Sequence, residues 1–125
     1  MIDSSFPILE VADMEQALAF YRDALGGAVR YSFPPEGEPV YVSLTTGATS
    51  MGIGLTESPL PPGNVMLWFN VDDVDRVTAE LTEHGAGVLE EPADQSWGER
   101  TALITDPFGT RVHLAMAIAP QPDEE

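Results

Sequence analysis

The chain of 125 residues contains no cysteine. Disulfide frameworks, thiolate metal sites and cysteine nucleophiles are therefore excluded. It also contains no lysine, and its five basic residues, all arginine, stand against 21 acidic residues, for a formal net charge of -16. Nucleic acids and anionic membranes are poor partners for so acidic a protein. The simplest interpretation of the negative charge is that it keeps the protein soluble. A more specific interpretation is that its electrostatic field attracts cationic ligands.

Long apolar runs are missing as well. No stretch approaches the roughly 20 apolar residues that span a bilayer. Residues 1–6 lack the basic start and apolar middle of a signal peptide. The hydrophobic fraction of 43% nevertheless suffices for a sizeable core. We therefore expect a soluble, cytoplasmic protein with no membrane partner.

What the chain does contain is an internal repeat at an offset of about 60 residues. The segment FPILEVADMEQALAFYRDALGGAV, from Phe6, aligns without a gap with MLWFNVDDVDRVTAELTEHGAGVL, from Met66. Three identical positions fall at the end of a strand, at a helix cap and at the glycine turn after the helix. These positions are Val11 and Val71, Asp13 and Asp73, and Gly27 and Gly87. The pattern predicts one module built twice.

Each module reads as βαβββ. In the first, residues 5–11 predict a strand, and Asp13 caps a helix over 14–25, with Gln16 completing a capping box. Strands are expected at 28–33, 39–45 and 49–55. In the second, we expect a strand at 65–71, a helix capped by Asp73, a short strand around Val88 before a turn-rich EEPADQ, and strands at 97–105 and 110–117 that pair across DPFG. The predicted organisation is module one at 1–58, a proline-rich connector at 59–64, module two at 65–118 and an acidic tail at 119–125.

A repeated βαβββ unit with DPFG before its last strand resembles the vicinal oxygen chelate superfamily, which includes glyoxalase I, fosfomycin resistance enzymes, extradiol dioxygenases and bleomycin resistance proteins. The string SWGERTALITDPFGTRVHLA is similar to the closing hairpin of the bleomycin-resistance and PhnB-like branch, and the helix VADMEQALAFYRDALGG agrees. The resemblance implies an α+β fold in which each curved mixed sheet forms a half-barrel. It also implies a homodimer, with module one of one chain facing module two of the other around two ligand pockets.

The same resemblance locates the metal ligands of metal-dependent members, which are His, Gln or Glu on the first and last strands of each module. The corresponding first-strand residues here are Phe6 and Met66, which cannot bind such an ion. The last-strand position of module two is His113, and its counterpart in module one falls near Ile53, give or take a residue. One imidazole does not hold a catalytic metal. We therefore expect neither a metal nor another cofactor.

Strand alternation suggests which side chains point into the concavity. Phe6 shares a face of its strand with Ile8, and Met66 shares the equivalent face with Trp68. In module one, the residue expected on the same face as His113 of module two is Met51 or Ile53, according to the repeat offset. Trp97 and Glu99 are placed on one face and Arg100 on the other, where it is interpreted as structural. His113 is either a pocket group or a histidine satisfied by its neighbours. The candidate ligand-binding residues are Phe6, Ile8, Phe33, Tyr41, Met51, Met66, Trp68, Trp97, Glu99 and His113.

Three functions remain open. The first is a metal-independent protein that binds a small organic ligand, bulky and aromatic or cationic, as in antibiotic resistance by sequestration. The alternative is a lyase, isomerase or dioxygenase of the same fold, metal-dependent or metal-free, with His113 and Glu99 in its site. An interaction module with a filled concavity is the third possibility. The sequence contains no phosphate-binding glycine loop, nucleophile elbow or HExxH motif.

Overall fold

The computed structural model describes residues 1–118, so the predicted acidic tail at 119–125 lies outside the described residues. The chain divides into two compact units, Met1–Pro61 and a second that begins at Pro62. This division falls inside the proline-rich segment that the sequence marks as a connector. Among residues 1–118, no helix is long and apolar enough to cross a membrane.

The first unit is a four-stranded mixed sheet with one helical segment. Its strands are β1 (Ile8–Val11), β2 (Ala28–Phe33), β3 (Tyr41–Thr46) and β4 (Thr49–Leu55), in the spatial order β1-β4-β3-β2. β1 runs parallel to β4, and the other pairs are antiparallel. The expected start of β1 at residue 5 is wrong by three residues. Pro7 lacks an N–H for the ladder, although its carbonyl still accepts from the Gly52 N–H at 2.9 Å.

The helix of the first unit begins where the sequence predicts. Asp13 is extended, with φ -139°, and its Oδ1 accepts from the Gln16 N–H at 3.0 Å. Helix α1 (Met14–Leu18) then continues as a π-helical segment, Ala19–Ala24, instead of remaining α-helical to residue 25. The Leu25 N–H reaches the Phe20 carbonyl, five residues back, at 3.0 Å. The core of the unit lies between this helix and the sheet.

The second unit repeats this arrangement. Its strands β5 (Met66–Asn70), β6 (Gly87–Asp94), β7 (Glu99–Thr105) and β8 (Arg111–Ala117) take the order β5-β8-β7-β6, and α2 (Val74–Glu83) follows β5. Asp73 caps α2 through the Arg76 N–H at 3.1 Å. The two βαβββ units confirm the predicted α+β fold class.

Strand β6 corrects one expectation. The segment EEPADQ was expected to turn, but β6 runs through it to Asp94. The strand lies at the sheet edge and contains two irregularities of register, between Val88 and Glu90 and between Glu90 and Ala93. Pro92 is tolerated there because an edge strand does not need every backbone N–H for pairing.

The DPFG hairpin connecting β7 to β8 is held by its aspartate. The Asp106 carboxylate is buried and accepts from the N–H groups of Phe108 and Thr110 at 2.9 and 2.8 Å. Gly109 has φ +93°, a left-handed conformation that glycine adopts without steric cost. This turn fixes the register of β8, and with it the face on which His113 lies.

Candidate functional site

Each sheet has one face covered by its helix and one open face. On β3, Val42 and Leu44 are buried, whereas Tyr41 and Ser43, which alternate with them, are not. Because neighbouring side chains point to opposite sides, Tyr41 and Ser43 lie on the open face. The same alternation places Arg100 of β7 on the helix side of the second sheet, where it contacts Asp75 of α2.

The register of each sheet then places the remaining open-face residues. In the first unit, Ile8 pairs with Gly52, and Ser43 pairs with Gly52 from the other side. In the second unit, Trp68 and Leu103 both pair with His113. Since paired residues share a face, Ile8 belongs to the first open face and Trp68 and His113 to the second.

This register corrects the position of Met51, which was expected to line the ligand site. Met51 is only 2% exposed and lies with the core residue Ile53 on the helix side. Ile8 and Trp68 are equivalent residues, 60 positions apart in the repeat. Their strand partners, Gly52 and His113, are 61 positions apart. A slip of one residue turns every side chain to the opposite face. The counterpart of His113 is therefore Gly52.

The first open face is aromatic. Tyr31 and Tyr41 have ring centroids 6.3 Å apart, and Phe33 pairs with Tyr41 across β2 and β3. The Tyr41 ring lies over Gly52: a Cβ placed there would be 2.9 Å from Tyr41 Cε1 and Cζ, closer than real contacts allow. Glycine at position 52 thus gives the phenol ring its place on the sheet.

Two more expected site residues lie on or before β1. Ile8 is largely exposed on the first open face. Phe6 is also largely exposed, in the extended segment before β1. Neither side chain is required by the core of the first unit.

The second open face contains an exposed indole stacked on an imidazole. The Trp68 and His113 rings have centroids 4.9 Å apart and an interplanar angle of 26°. Trp68 remains 46% exposed, and its Nε1–H donates to Asn70 Oδ1 at 3.0 Å. His113 Nδ1 is buried and has no hydrogen-bond partner among the residues that the structure describes. A buried imidazole nitrogen left in that state costs free energy, about 1–3 kcal/mol for a typical polar group.

Asn70 is the residue of this cluster that the sequence reasoning missed. It is two positions after Trp68 on the same strand, so alternation puts both on one face. The W-x-N spacing could have indicated Asn70 from the sequence, because the amide oxygen of an asparagine at that position can accept a hydrogen bond from the indole N–H.

A second tryptophan is held in the same way. Trp97 is 57% exposed, and its Nε1–H donates to Glu99 Oε1 at 2.7 Å. Glu99 lies at the start of β7, on the open face because its neighbour Arg100 faces the helix. Each indole thus has its polar atom satisfied within the chain while much of the ring stays accessible.

The structure does not bring Glu99 and His113 together. Glu99 pairs with Ala117, whereas His113 pairs with Leu103, four residues further along β7. Four residues of strand span about 13 Å. The two groups therefore cannot act on one atom of a ligand as an acid–base pair.

Met66 is an open-face residue, 43% exposed, at the start of β5. Its partner is Arg111 of β8. Met66 thus extends the apolar surface from Trp68 along β5, toward the start of that strand.

Arg100 is structural, as the sequence suggested. Its guanidinium donates to Asp75 of α2 at 2.7 and 3.0 Å and to Asp94 of β6 at 3.0 Å. The hydrogen bond from Arg100 lowers the pKa of Asp75 below its ordinary value. His84 is also structural, since its Nδ1 lies 2.9 Å from the Glu80 carbonyl oxygen in the last turn of α2.

The residues at the metal positions of the superfamily do not fit a metal ion. Gly52, the counterpart of His113, has no side-chain donor, and no group of three or more His, Asp or Glu side chains within residues 1–118 could hold one. A lone imidazole falls short of the three protein ligands usual at a catalytic site.

Comparison with known proteins agrees with this fold. "Putative glyoxylase CFP32" of Mycobacterium tuberculosis is 35% identical over 107 residues, which are 84% of this chain and 40% of that protein. "Uncharacterized protein Mb0911c" of Mycobacterium bovis is 30% identical over 124 residues, 90% of this chain and 82% of that protein. The solved structure of hypothetical protein SA1046 from S. aureus superposes with a TM-score of 0.75 at 27% identity, covering 94% of this chain and 99% of that one.

The chain spans about two fifths of the length of the CFP32 protein. Its first half and its second half are nevertheless both matched by one family model, which covers residues 7–114. The chain therefore belongs to the Glyoxalase/Bleomycin resistance protein/Dioxygenase superfamily.

Proposed function

We propose that this protein binds a bulky aromatic organic molecule without a metal and sequesters it, as an antibiotic-binding member of its superfamily would. The observation that carries the proposal is the Trp68–His113 pair: an exposed indole stacked on an imidazole whose Nδ1 has no partner among residues 1–118. A ligand that stacks on the indole gains dispersion and hydrophobic burial. A ligand donor or acceptor that reaches His113 Nδ1 removes the cost of an unsatisfied nitrogen.

The two tryptophans support an aromatic ligand for a second reason. Their N–H groups donate to Asn70 and Glu99, so a ligand does not have to supply acceptors for them. The rings are held at fixed positions and lose little conformational entropy when a ligand binds. Exposed aromatic and apolar side chains clustered on one face are also unusual unless they bind something.

A positive charge on the ligand is favoured by Glu99 and by the net charge of the chain. The Glu99 carboxylate lies beside the exposed Trp97 ring, and a cation over an indole face gains about 0.5–2 kcal/mol. The formal charge of -16 attracts cations to the whole molecule.

A homodimer completes the proposal. The first open face offers Ile8, Phe33 and Tyr41 as a second apolar wall, and pairing two copies sets such a wall opposite the Trp68–His113 face. The pairing would also cover apolar area that single copies leave in water.

Intrinsic fluorescence tests the proposal directly, because both tryptophans are in the second unit. Chelator-treated protein is titrated with bleomycin and with neutral and cationic aromatic compounds. We expect saturable quenching without metal, lost in Trp68→Ala and retained more fully in Trp97→Ala for the neutral compounds. Binding that requires added Zn, Mn, Ni or Fe, or that survives Trp68→Ala unchanged, would contradict it.

An enzyme remains the second candidate, favoured by the name of the CFP32 relative and by the imidazole of His113. His113 acts alone in that case, since Glu99 is too far along β7. Mass analysis of the ligand after incubation separates the two functions. Chemical conversion that is lost in His113→Gln would establish catalysis, whereas recovery of intact ligand supports sequestration.

A further inference from the structure

The first unit contains a pocket away from the open faces of the sheets. Its volume is about 640 Å³, and it lies between α1, the loop that precedes β3 and the end of β4. None of the residues assigned above to ligand binding lines it. Pockets that bind small molecules in proteins span about 300–1,000 Å³, so this one is large enough for such a ligand.

The inner wall of the pocket is apolar. Met14 and Leu18, one helical turn apart on α1, face Leu55 at the end of β4 and the Pro39 ring of the loop. Leu55 is 40% exposed, so the pocket leaves apolar surface in contact with water. A ligand with an apolar body would bury that surface.

The rim is negatively charged. Glu15 of α1 and Glu38 of the loop line the pocket, and neither forms an ion pair within the described part of the chain. Asp13 also lines it, with one carboxylate oxygen engaged by the Gln16 N–H. The single lining cation, Arg22, is already bound by Asp23 at 2.7 and 3.2 Å. The charge of the rim is therefore not neutralised locally.

These features together specify the chemistry of an occupant. An anion is repelled by the rim, and a neutral apolar molecule leaves the carboxylates without a partner. A bare metal ion is disfavoured because these side chains form no metal-holding group in residues 1–118, and it would not cover the apolar wall. We propose that the pocket binds a small organic amine, with its ammonium beside Glu15 and Glu38 and its apolar body against Leu18 and Leu55.

The test uses a charged amine and its neutral acetylated derivative, which share the same aromatic body. Uniformly ¹⁵N-labelled protein is titrated with 2-phenylethylammonium and, separately, with neutral N-acetyl-2-phenylethylamine, and amide shifts are followed by NMR. We expect saturable shifts at the amides of residues 37 and 38 and in the first turn of α1. A charge-assisted hydrogen bond predicts a dissociation constant about tenfold lower for the amine than for the amide. Added salt should weaken only the amine.

Matched variants assign the contacts. Glu38→Gln and Glu15→Gln should each raise the dissociation constant of the amine about fivefold or more, whereas Glu36→Gln, in the same loop but outside the lining, should not. Leu55→Lys supplies an internal ammonium and should abolish the shifts. All four positions are at least partly exposed, so the amide spectrum can confirm that the variants fold.

Three results would overturn the inference: shifts confined to the open faces, equal affinity for the two probes, or an unchanged dissociation constant in Glu38→Gln. Trp68→Ala distinguishes this pocket from the proposed function. That variant should keep the amine-induced amide shifts at residues 37 and 38 while losing aromatic binding at the second open face. Failure of one proposal therefore leaves the other standing.

Discussion

Two methionines, one on a helix-covered sheet face and one on an open face, provide a sharp test of which sheet faces belong to the core. Met51 lies on β4 of the first unit and is 2% exposed, whereas Met66 lies on β5 of the second and is 43% exposed. Replacing each with alanine removes the same atoms. The cost should differ because only one site is enclosed.

The magnitudes follow from burial. Met51→Ala loses nearly the whole transfer free energy of the side chain and leaves a cavity beneath α1, so we expect a loss of about 3 kcal/mol within the usual range of 2–5. Met66→Ala loses a little over half of the transfer contribution and leaves no cavity, because water fills an open surface. Its cost should be about 1 kcal/mol or less.

Urea unfolding followed by far-ultraviolet circular dichroism measures both variants, since that signal reports on both units. Fluorescence adds a control, because the tryptophans report on the second unit alone. The midpoint should fall at unchanged slope. If Met66→Ala cost as much as Met51→Ala, or if Met51→Ala weakened aromatic ligand binding without loss of stability, the assignment of the faces would be wrong.

Three further outcomes are expected. Gly52→Ala should displace the Tyr41 ring and cost about 1 kcal/mol through the lost aromatic pair, visible as shifted Tyr41 ring resonances; an unmoved ring would refute the packing. The hydrogen bond from Arg100 lowers the pKa of Asp75, so its stabilisation is present above the ordinary aspartate pKa and lost as pH falls through the lower folded value. Asp75→Asn should therefore lose less stability than the natural protein between pH 7 and pH 3 in urea titrations. Asp106→Ala leaves two backbone N–H groups without their acceptor and should cost about 2 kcal/mol, whereas a midpoint like that of the natural protein would show that the turn does not need its carboxylate.

The repeat made most of the fold predictable. Its matches fall at Asp13 and Asp73, where helix capping depends on residues close in sequence, and both carboxylates cap as expected. Strands Ala28–Phe33 and Thr49–Leu55 have the predicted bounds because turn residues delimit them. The sequence therefore predicted correctly those helix caps and strand ends that depend only on residues close in sequence.

Other features depend on contacts that local patterns do not encode. The π-helical segment after Leu18 widens a helix whose sequence gives no breaker before Gly26. Edge position allowed β6 to continue through Pro92, and an edge cannot be identified before the strand order is known. The stacking of Trp68 on His113 joins residues 45 positions apart and follows from the parallel register of β5 and β8.

The wrong prediction that Met51 lines the ligand site shows how one residue of loop length changes the chemistry of a sheet face. Ser43 pairs with Gly52, and its counterpart Leu103 pairs with His113. The connection between β7 and β8 therefore contains one residue more than the equivalent connection between β3 and β4. His113 consequently corresponds to Gly52, and Tyr41 fills the space above that glycine with a phenol ring. The two open faces thus differ in kind: the first offers aromatic rings and no imidazole, and the second offers an imidazole beneath an indole. A catalytic metal site needs roughly three protein ligands, and residues 1–118 contain no such group. An aromatic ligand needs only flat surfaces and one or two polar contacts, and both open faces offer these.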